Sequence, residues 1–137
     1  MKFDLSRKVK DELKKEGVVL AYLYGSCARG EEVRESDIDI AILFDKKINK
    51  DSYLKKYLKL SSILSEFYKH EREIGLMILN QASPLLKQNT VVDGQELYEK
   101  DEWTKIAFEN RTLHEYEDSL HLQNIYHKYL NQRIKNL

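Results

Sequence analysis

The fold is decided by residues 18–44, which read VVLAYLYGSCARGEEVRESDIDIAILF. The first seven residues are apolar or aromatic without a break, which predicts a buried strand that ends at Gly25 and Ser26. The last eight residues alternate between two faces, so Asp37 and Asp39 share one face of a second strand. The stretch therefore predicts two strands joined by a polar segment, with two acids at the start of the second strand.

Apolar periodicity around this stretch predicts further helices and strands. Residues 4–16 repeat apolar side chains every four positions and stop at Gly17, where a helix C-cap is expected. A hairpin is predicted where Asp93-Gly94 suits a type I′ turn. Three further elements are predicted: a helix over 51–70, a strand over 74–79 and a brief helix from Ser83-Pro84. The helix over 51–70 has one apolar stripe, formed by Leu54, Tyr57, Leu58, Ser61, Leu64 and Tyr68. Together with the helix over 4–16 and the hairpin over 91–98, these elements predict an α/β (α+β) fold.

The last part of the chain, residues 101–137, contains no Gly or Pro and predicts one long or once-broken helix. A helix longer than the domain is wide exposes part of its apolar stripe unless it folds back or meets a partner. We therefore divide the chain into a core over 1–100 and a C-terminal helical extension over 101–137. The extension belongs to the same compact unit and is expected to bind a partner.

Composition and charge limit the class of protein. The 137 residues suit one compact domain, and 23 basic against 23 acidic residues create no overall field toward nucleic acid or an anionic membrane. No apolar run approaches the roughly 20 residues that span a bilayer, and the charged N-terminus lacks the apolar stretch of a signal peptide. The single cysteine excludes an internal disulfide framework. We expect a cytoplasmic protein without direct nucleic-acid or membrane contacts.

Two features of the polar segment point to phosphate chemistry. A strand that stops at Gly25-Ser26 before a helix lets backbone N–H groups and a hydroxyl converge on an anion. Asp37 and Asp39, two positions apart on one strand face, repel each other unless a cation lies between them. Mg²⁺ usually takes one or two protein carboxylates and completes its shell with water and phosphate oxygens. The phosphate cradle and the acid pair together predict metal-assisted nucleotidyl transfer.

The pattern of Gly-Ser, ten residues and Asp-x-Asp resembles the signature of the polymerase β-like nucleotidyltransferases in their minimal, single-domain form. The resemblance implies a small mixed sheet flanked by helices, with a long C-terminal helical segment. It also extends to the antitoxin branch, in which the nucleotidyltransferase pairs with a HEPN-family ribonuclease toxin in a hetero-oligomer. Such an antitoxin silences the toxin by transferring AMP from ATP to a toxin tyrosine. The residues that carry this part of the resemblance are Ile78-Leu79-Asn80, Ser83-Pro84-Leu85-Leu86, Asp93-Gly94, Phe108-Glu109 and Tyr116-Glu117-Asp118.

The resemblance also implies roles for individual residues. Asp37 and Asp39 would bind the magnesium ions. Four residues would contact the nucleotide, namely Gly25, Ser26, Arg29 and Ser36. Of these, Gly25 and Ser26 would hold its phosphates.

One position departs from the family pattern. The family usually has a third carboxylate five residues before the asparagine of a Leu-Asn pair. That pair corresponds to Leu79-Asn80 here, and the position of the carboxylate is occupied by Gly75. Glu73 lies on the same face of that strand, about 6.6 Å away along it, and is the candidate for the missing catalytic acid.

The departure at Gly75 leaves more than one function open. The first is AMP transfer to the toxin. The second is an antitoxin, weak or inactive in catalysis, that silences the toxin by binding alone, because the site would lack the usual general base. A third, modification of a small molecule, is disfavoured because the sequence shows no second substrate-binding domain.

Overall fold

The computed structural model describes residues 3–25, 38–68 and 73–137. Eight helices and strands lie in these ranges, with short 3-10 turns at Lys50–Ser52 and Leu79–Gln81. In chain order they are α1 (Arg7–Lys15), β1 (Val18–Tyr24), β2 (Ile38–Phe44), α2 (Tyr53–Tyr68), β3 (Ile74–Ile78), α3 (Pro84–Asp93), β4 (Gln95–Glu99) and α4 (Glu102–Lys135).

The four strands form one mixed sheet in the order β3-β2-β1-β4. Strand β1 runs antiparallel to both β2 and β4, whereas β2 and β3 run parallel. The C-terminal end of β1 therefore meets the N-terminal ends of β2 and β3 at one edge of the sheet. At that edge Tyr24 pairs with Asp39, and Asp39 pairs with Gly75. The small mixed sheet implied by the resemblance is confirmed.

Each face of the sheet is covered by a pair of helices. On one face, Val9 and Leu13 of α1 and Leu60 of α2 pack with the apolar residues of β1 and β2. On the other face, Tyr22 and Phe108 join a second buried cluster beneath α3 and α4. The strict alternation of β2 places Asp39 on this second face, because its neighbours Ile38 and Ile40 belong to the first cluster.

Polar side chains fix the beginnings of two helices. The Ser6 hydroxyl accepts a hydrogen bond from the Val9 N–H at the start of α1, and the Ser83 hydroxyl accepts one from the Leu86 N–H at the start of α3. Gly17, with φ of 85°, follows α1 in the left-handed conformation that a glycine adopts without strain. The predicted helix over 4–16 is confirmed with narrower bounds, Arg7–Lys15, and the predicted start of a helix at Ser83-Pro84 is confirmed.

The predicted hairpin over 91–98 is wrong. Helix α3 continues to Asp93, the Gly94 N–H donates a hydrogen bond to the Thr90 carbonyl at 2.9 Å, and β4 begins at Gln95 and pairs with β1. A Cβ at position 94 would lie 2.2 Å from the Thr90 oxygen, so a glycine is required for this close approach. Asp93-Gly94 thus ends a helix instead of turning a hairpin.

The predicted apolar stripe of α2 is only partly correct. Leu64 is buried, but Leu54 and Leu58 are 69% and 59% exposed. The buried face instead includes Tyr53, whose ring stacks on Phe44 with centroids 5.0 Å apart. The helix is thus rotated so that Tyr53, Leu60 and Leu64 face the sheet, whereas Leu54 and Leu58 face outward.

The predicted C-terminal helix is confirmed as one unbroken helix. Helix α4 has 34 residues, which corresponds to a length of about 50 Å, and only Phe108 and Thr112 are buried in it. Its first half is fastened to the sheet and to α3 by polar contacts, whereas residues 121–137 include no buried side chain. In the described ranges, no helix is both long and apolar enough to cross a membrane.

Candidate functional site

The candidate site lies at the sheet edge where β1 ends and β2 and β3 begin. Asp39, the second residue of β2, is half-buried there between Tyr24 on one side and Gly75 on the other. Because β2 is a central strand, the backbone of Asp39 is fixed by neighbours on both sides. Its side chain points to the face covered by α3 and α4.

Two glycines, one immediately after β1 and one in β3, flank the Asp39 carboxylate. A Cβ at Gly25 would lie 2.9 Å from Oδ2 of Asp39, and a Cβ at Gly75 would lie 2.8 Å from Oδ1. Gly25 also has φ of 81°, a conformation that side-chain-bearing residues rarely adopt. We call this arrangement of Gly25, Asp39 and Gly75 the glycine notch.

Several predicted site residues lie outside the described residues. These are Ser26, Arg29, Ser36 and Asp37. Of the predicted residues that the structure does describe, Gly25 and Asp39 come together in the glycine notch. Within residues 3–25, 38–68 and 73–137, no group of three His, Cys, Asp or Glu side chains is arranged to hold a metal ion. The roles of all these residues stay predictions.

Glu73 lies one residue before β3, and its side chain is exposed. Its backbone carbonyl accepts a hydrogen bond from the Ile38 N–H at 2.9 Å, which joins the beginnings of β2 and β3. The position that pairs with Asp39 is instead Gly75, two residues further along the chain. The role of Glu73 as a catalytic acid stays a prediction.

Tyr24 is a site neighbour that the sequence analysis did not single out. Burial of the ring, followed by the nearby Asp39 carboxylate, raises the pKa of its phenol. Tyr24 is therefore neutral at physiological pH and can donate a hydrogen bond. The signal available in the sequence was its place as the last residue of β1, immediately before Gly25.

Behind the site, a buried hydrogen bond joins the sheet to α4. The Tyr22 hydroxyl donates to Oε1 of Glu109 at 3.0 Å across 87 positions of sequence. Tyr22 is only 2% exposed, and this burial, together with the Glu109 carboxylate, raises the pKa of its phenol. Two ion pairs, Lys105 with Glu96 and Lys87 with Glu115, fasten the same half of α4 to β4 and α3.

Comparison with known families identifies the fold. Residues 7–103 match the family model described as polymerase beta nucleotidyltransferase. The chain belongs to this nucleotidyltransferase family. The predicted family and the predicted fold class are thus confirmed, with a mixed sheet, flanking helices and a long C-terminal helix.

Two curated relatives of this nucleotidyltransferase have names that specify protein adenylyltransferases, one of them putative. Over 79 residues it is 34% identical to the protein adenylyltransferase MntA of Shewanella oneidensis, a match that covers 58% of this chain and 52% of MntA. The chain therefore aligns with about half the length of that relative. Over 93 residues it is 31% identical to a putative protein adenylyltransferase of Methanocaldococcus jannaschii, covering 66% of this chain and 94% of that protein.

Solved structures similar to this nucleotidyltransferase are toxin–antitoxin complexes. One is a toxin–antitoxin with AMP-PNP, with a TM-score of 0.64 and 27% identity over 93% of this chain and 96% of that chain. Another is a tri-AMPylated Shewanella oneidensis HEPN toxin in complex with an MNT antitoxin, with a TM-score of 0.58 and 25% identity over 93% of both chains. These neighbours confirm the resemblance to the antitoxin branch.

The glycine notch is compatible with the divalent metal that nucleotidyltransferases generally use. A carboxylate supplies the hard oxygen ligands that Mg²⁺ prefers, and one or two such ligands are usual. Asp39 offers one carboxylate at a position where two of the neighbouring residues, Gly25 and Gly75, carry no side chain. The described part of the site therefore fits one side of a metal–nucleotide complex.

Proposed function

We propose that this chain is an antitoxin and a protein adenylyltransferase, which transfers AMP from ATP to a tyrosine of a cognate HEPN-family toxin in the cytoplasm. The observation that carries the proposal is the Asp39 carboxylate, seated in the glycine notch of a chain that belongs to the nucleotidyltransferase family. The likeness to structures of AMPylated toxin with antitoxin supports the choice of substrate.

The reaction joins a tyrosine oxygen to phosphorus. The phenol oxygen of the toxin would attack the α-phosphorus of ATP in line, and the bond from that phosphorus to the bridging oxygen of the β-phosphate would break. Pyrophosphate leaves, and the phenolic proton passes to a base, for which Glu73 is the candidate. Mg²⁺, when bound, supplies positive charge that stabilises the transferring and leaving phosphates.

Different residues of the chain would bind the metal ion and the nucleotide. Asp39, with Asp37, would hold Mg²⁺. Gly25 lets the backbone approach the phosphates closely, because no Cβ stands in the way, and Ser26 would add a hydroxyl to the same cradle. The remaining nucleotide contacts would come from Arg29 and Ser36.

Helix α4 is proposed as the main docking surface for the toxin. It exposes large apolar side chains along its length, from Trp103, which is 79% exposed, to Ile134. Exposed apolar surface of this extent is typical of an interaction site. The Tyr22–Glu109 hydrogen bond joins the same helix to β1, the strand that ends immediately before Gly25, so a toxin bound on α4 would be held at a fixed position relative to the site.

Co-expression with the cognate HEPN-family toxin tests this proposal. The intact mass of the toxin should increase by whole AMP units with the natural chain and should not increase with Asp39→Asn, which removes a metal ligand at nearly constant volume. The variant should still co-purify with the toxin, because α4 is unchanged. A modified toxin in the Asp39→Asn sample would contradict the assignment of Asp39.

A second candidate function is neutralisation by binding alone. Gly75 favours it, because the position that pairs with Asp39 carries no carboxylate. In that case the toxin would co-purify unmodified with the natural chain and would still be silenced. The same mass measurement therefore separates the two functions.

A further inference from the structure

The sheet has two edge strands, and they differ in how they are protected. Strand β4 carries Glu96 and Glu99, charged residues of the kind that keep a sheet edge from pairing with another chain. Strand β3 reads IGLMI and contains neither a charged residue nor a proline. Within the described ranges β3 pairs only with β2, so its outer edge is open there.

The open edge of β3 presents backbone groups to an incoming chain. The Glu73 carbonyl accepts a hydrogen bond from the Ile38 N–H, so alternate residues of this segment, including Gly75, face β2. The N–H and C=O groups of Ile74 and Leu76 consequently face away from β2, and no described residue bonds to them. Such a row of groups is complementary to an extended polypeptide, which can join the sheet as a further strand.

A largely apolar cavity of about 500 Å³ lies at the end of this edge. Its volume falls in the range of ligand pockets, roughly 300 to 1,000 Å³. The side chains that line it include Tyr53, Leu54, Tyr57, Met77, Ile78 and Leu86. Met77 and Ile78 belong to opposite faces of the sheet, so the cavity lies across the edge itself and not over one face.

We infer that the open edge of β3 and this cavity bind, as an extended strand, the toxin segment that carries the acceptor tyrosine. The inference rests on the proposed function and adds to it the place where the protein substrate is held. Gly75 pairs with Asp39, so a strand added to β3 lies two strands away from the candidate metal ligand. Two strand spacings are roughly 10 Å, a gap that the tyrosine side chain and the metal-bound phosphates would bridge together.

The place of the cavity predicts a pattern in the toxin segment. Met77 and Ile78 lie two and three residues beyond Gly75, which is about 7 to 10 Å along the strand. An extended segment rises by nearly the same distance per residue, so a tyrosine opposite Gly75 brings a side chain two or three positions away to the cavity. That side chain is expected to be large and apolar, because apolar side chains dominate the lining of the cavity.

A second copy of this chain is the competing occupant of the edge. Pairing of β3 with β3 of another copy would use the same outward groups of Ile74 and Leu76. It would also close the approach to Asp39 from this edge, where the tyrosine of the toxin has to enter. The toxin segment is therefore the occupant that is compatible with AMP transfer.

Two exposed leucines of α2 supply a matched pair of variants. Leu54 lines the cavity and Leu58 does not, and both are more than half exposed. Leu54→Glu places a charge in the cavity and should lower the initial rate of AMP transfer to the toxin roughly tenfold, with the KM for ATP unchanged. Leu58→Glu should match the natural chain. Equal rates for Leu54→Glu and the natural chain, or equal losses in the two variants, would overturn the inference.

Photo-crosslinking supplies a readout that needs no AMP transfer. A benzophenone side chain in place of Leu54, illuminated in the complex with the toxin, should link to a toxin peptide within about three residues of a tyrosine. The same group in place of Leu58 should not form this link. No link from position 54, a link to a toxin segment far from any tyrosine, or a link to a second copy would overturn the inference.

The two readouts separate this inference from the proposed function. The expected link from position 54, found with a toxin that is never modified, would contradict AMP transfer and support the binding of the segment. A modified toxin without the link would support AMP transfer and overturn the binding of the segment at this edge.

Discussion

Removal of the Tyr22 hydroxyl should loosen the attachment of α4 to the sheet. Tyr22→Phe deletes the hydrogen bond to Glu109 and leaves the packing of the ring in place. A hydrogen bond to a charged group contributes roughly 1.5 to 3 kcal/mol, and Glu109 is half-exposed and can recover water, so we expect a loss of about 1.5 kcal/mol. With an unfolding entropy of about 2.1 cal/mol/K per residue, this loss lowers Tm by roughly 5 °C.

Two variants and a pH series make this test specific. Tyr126→Phe removes an exposed hydroxyl from the same helix and should leave Tm within about 1 °C, whereas Glu109→Gln keeps an accepting oxygen and should lose less than Tyr22→Phe. The pKa of Tyr22 is raised in the folded protein, so its stabilising effect is complete below the unfolded tyrosine pKa of about 10 and is lost as the pH rises above it. The free energy of unfolding should therefore fall more steeply above that pH in the natural chain than in Tyr22→Phe. Equal Tm values for the natural chain and Tyr22→Phe would show that this hydrogen bond does not hold α4 to the sheet.

Three further changes test other parts of the fold. Gly94→Ala should lower the free energy of unfolding by about 3 kcal/mol in urea titrations, because its Cβ would lie 2.2 Å from the Thr90 carbonyl oxygen; an unchanged midpoint would contradict the role of Gly94. Glu16 accepts hydrogen bonds from Lys59 and Lys56, which hold its pKa below the usual range. Glu16→Gln should thus lose about 1 kcal/mol at pH 7, a difference that disappears as the pH falls through the folded pKa, and a constant difference down to pH 2 would exclude this cause. A chain that ends at residue 124 should keep its Tm within about 2 °C, because residues 125–137 bury no side chain, but should co-purify less toxin; undiminished capture would exclude this end of α4 from the interface.

The sequence predicted the central part of the fold well. Strand β1 corresponds to the unbroken apolar run over 18–24, and β2 corresponds to the alternation that follows Asp37. Both patterns are typical of strands, because a two-residue period or a short apolar run does not suit an amphipathic helix. The face on which Asp39 lies followed from the same alternation. The absence of Gly and Pro predicted one long or once-broken helix, and α4 is the unbroken alternative.

The remaining features depend on contacts that a local pattern does not contain. Asp93-Gly94 suits both a type I′ turn and the end of a helix, and only the pairing of β4 with β1 decides between them. The rotation of α2 buries Tyr53 with Leu60 and Leu64, and the contact of Tyr53 with Phe44 of β2 is a tertiary one. The pairing of Asp39 with Gly75 depends on the register of two parallel strands that a local pattern does not set.

AMP transfer from ATP can be followed with purified chain, purified toxin and ATP labelled at either the α- or the γ-phosphate. We expect the α-label to become attached to the toxin and the γ-label to appear only in pyrophosphate, and we expect Asp39→Asn to abolish both. Label from the γ-position on the toxin, or silencing of the toxin without any label, would contradict AMP transfer.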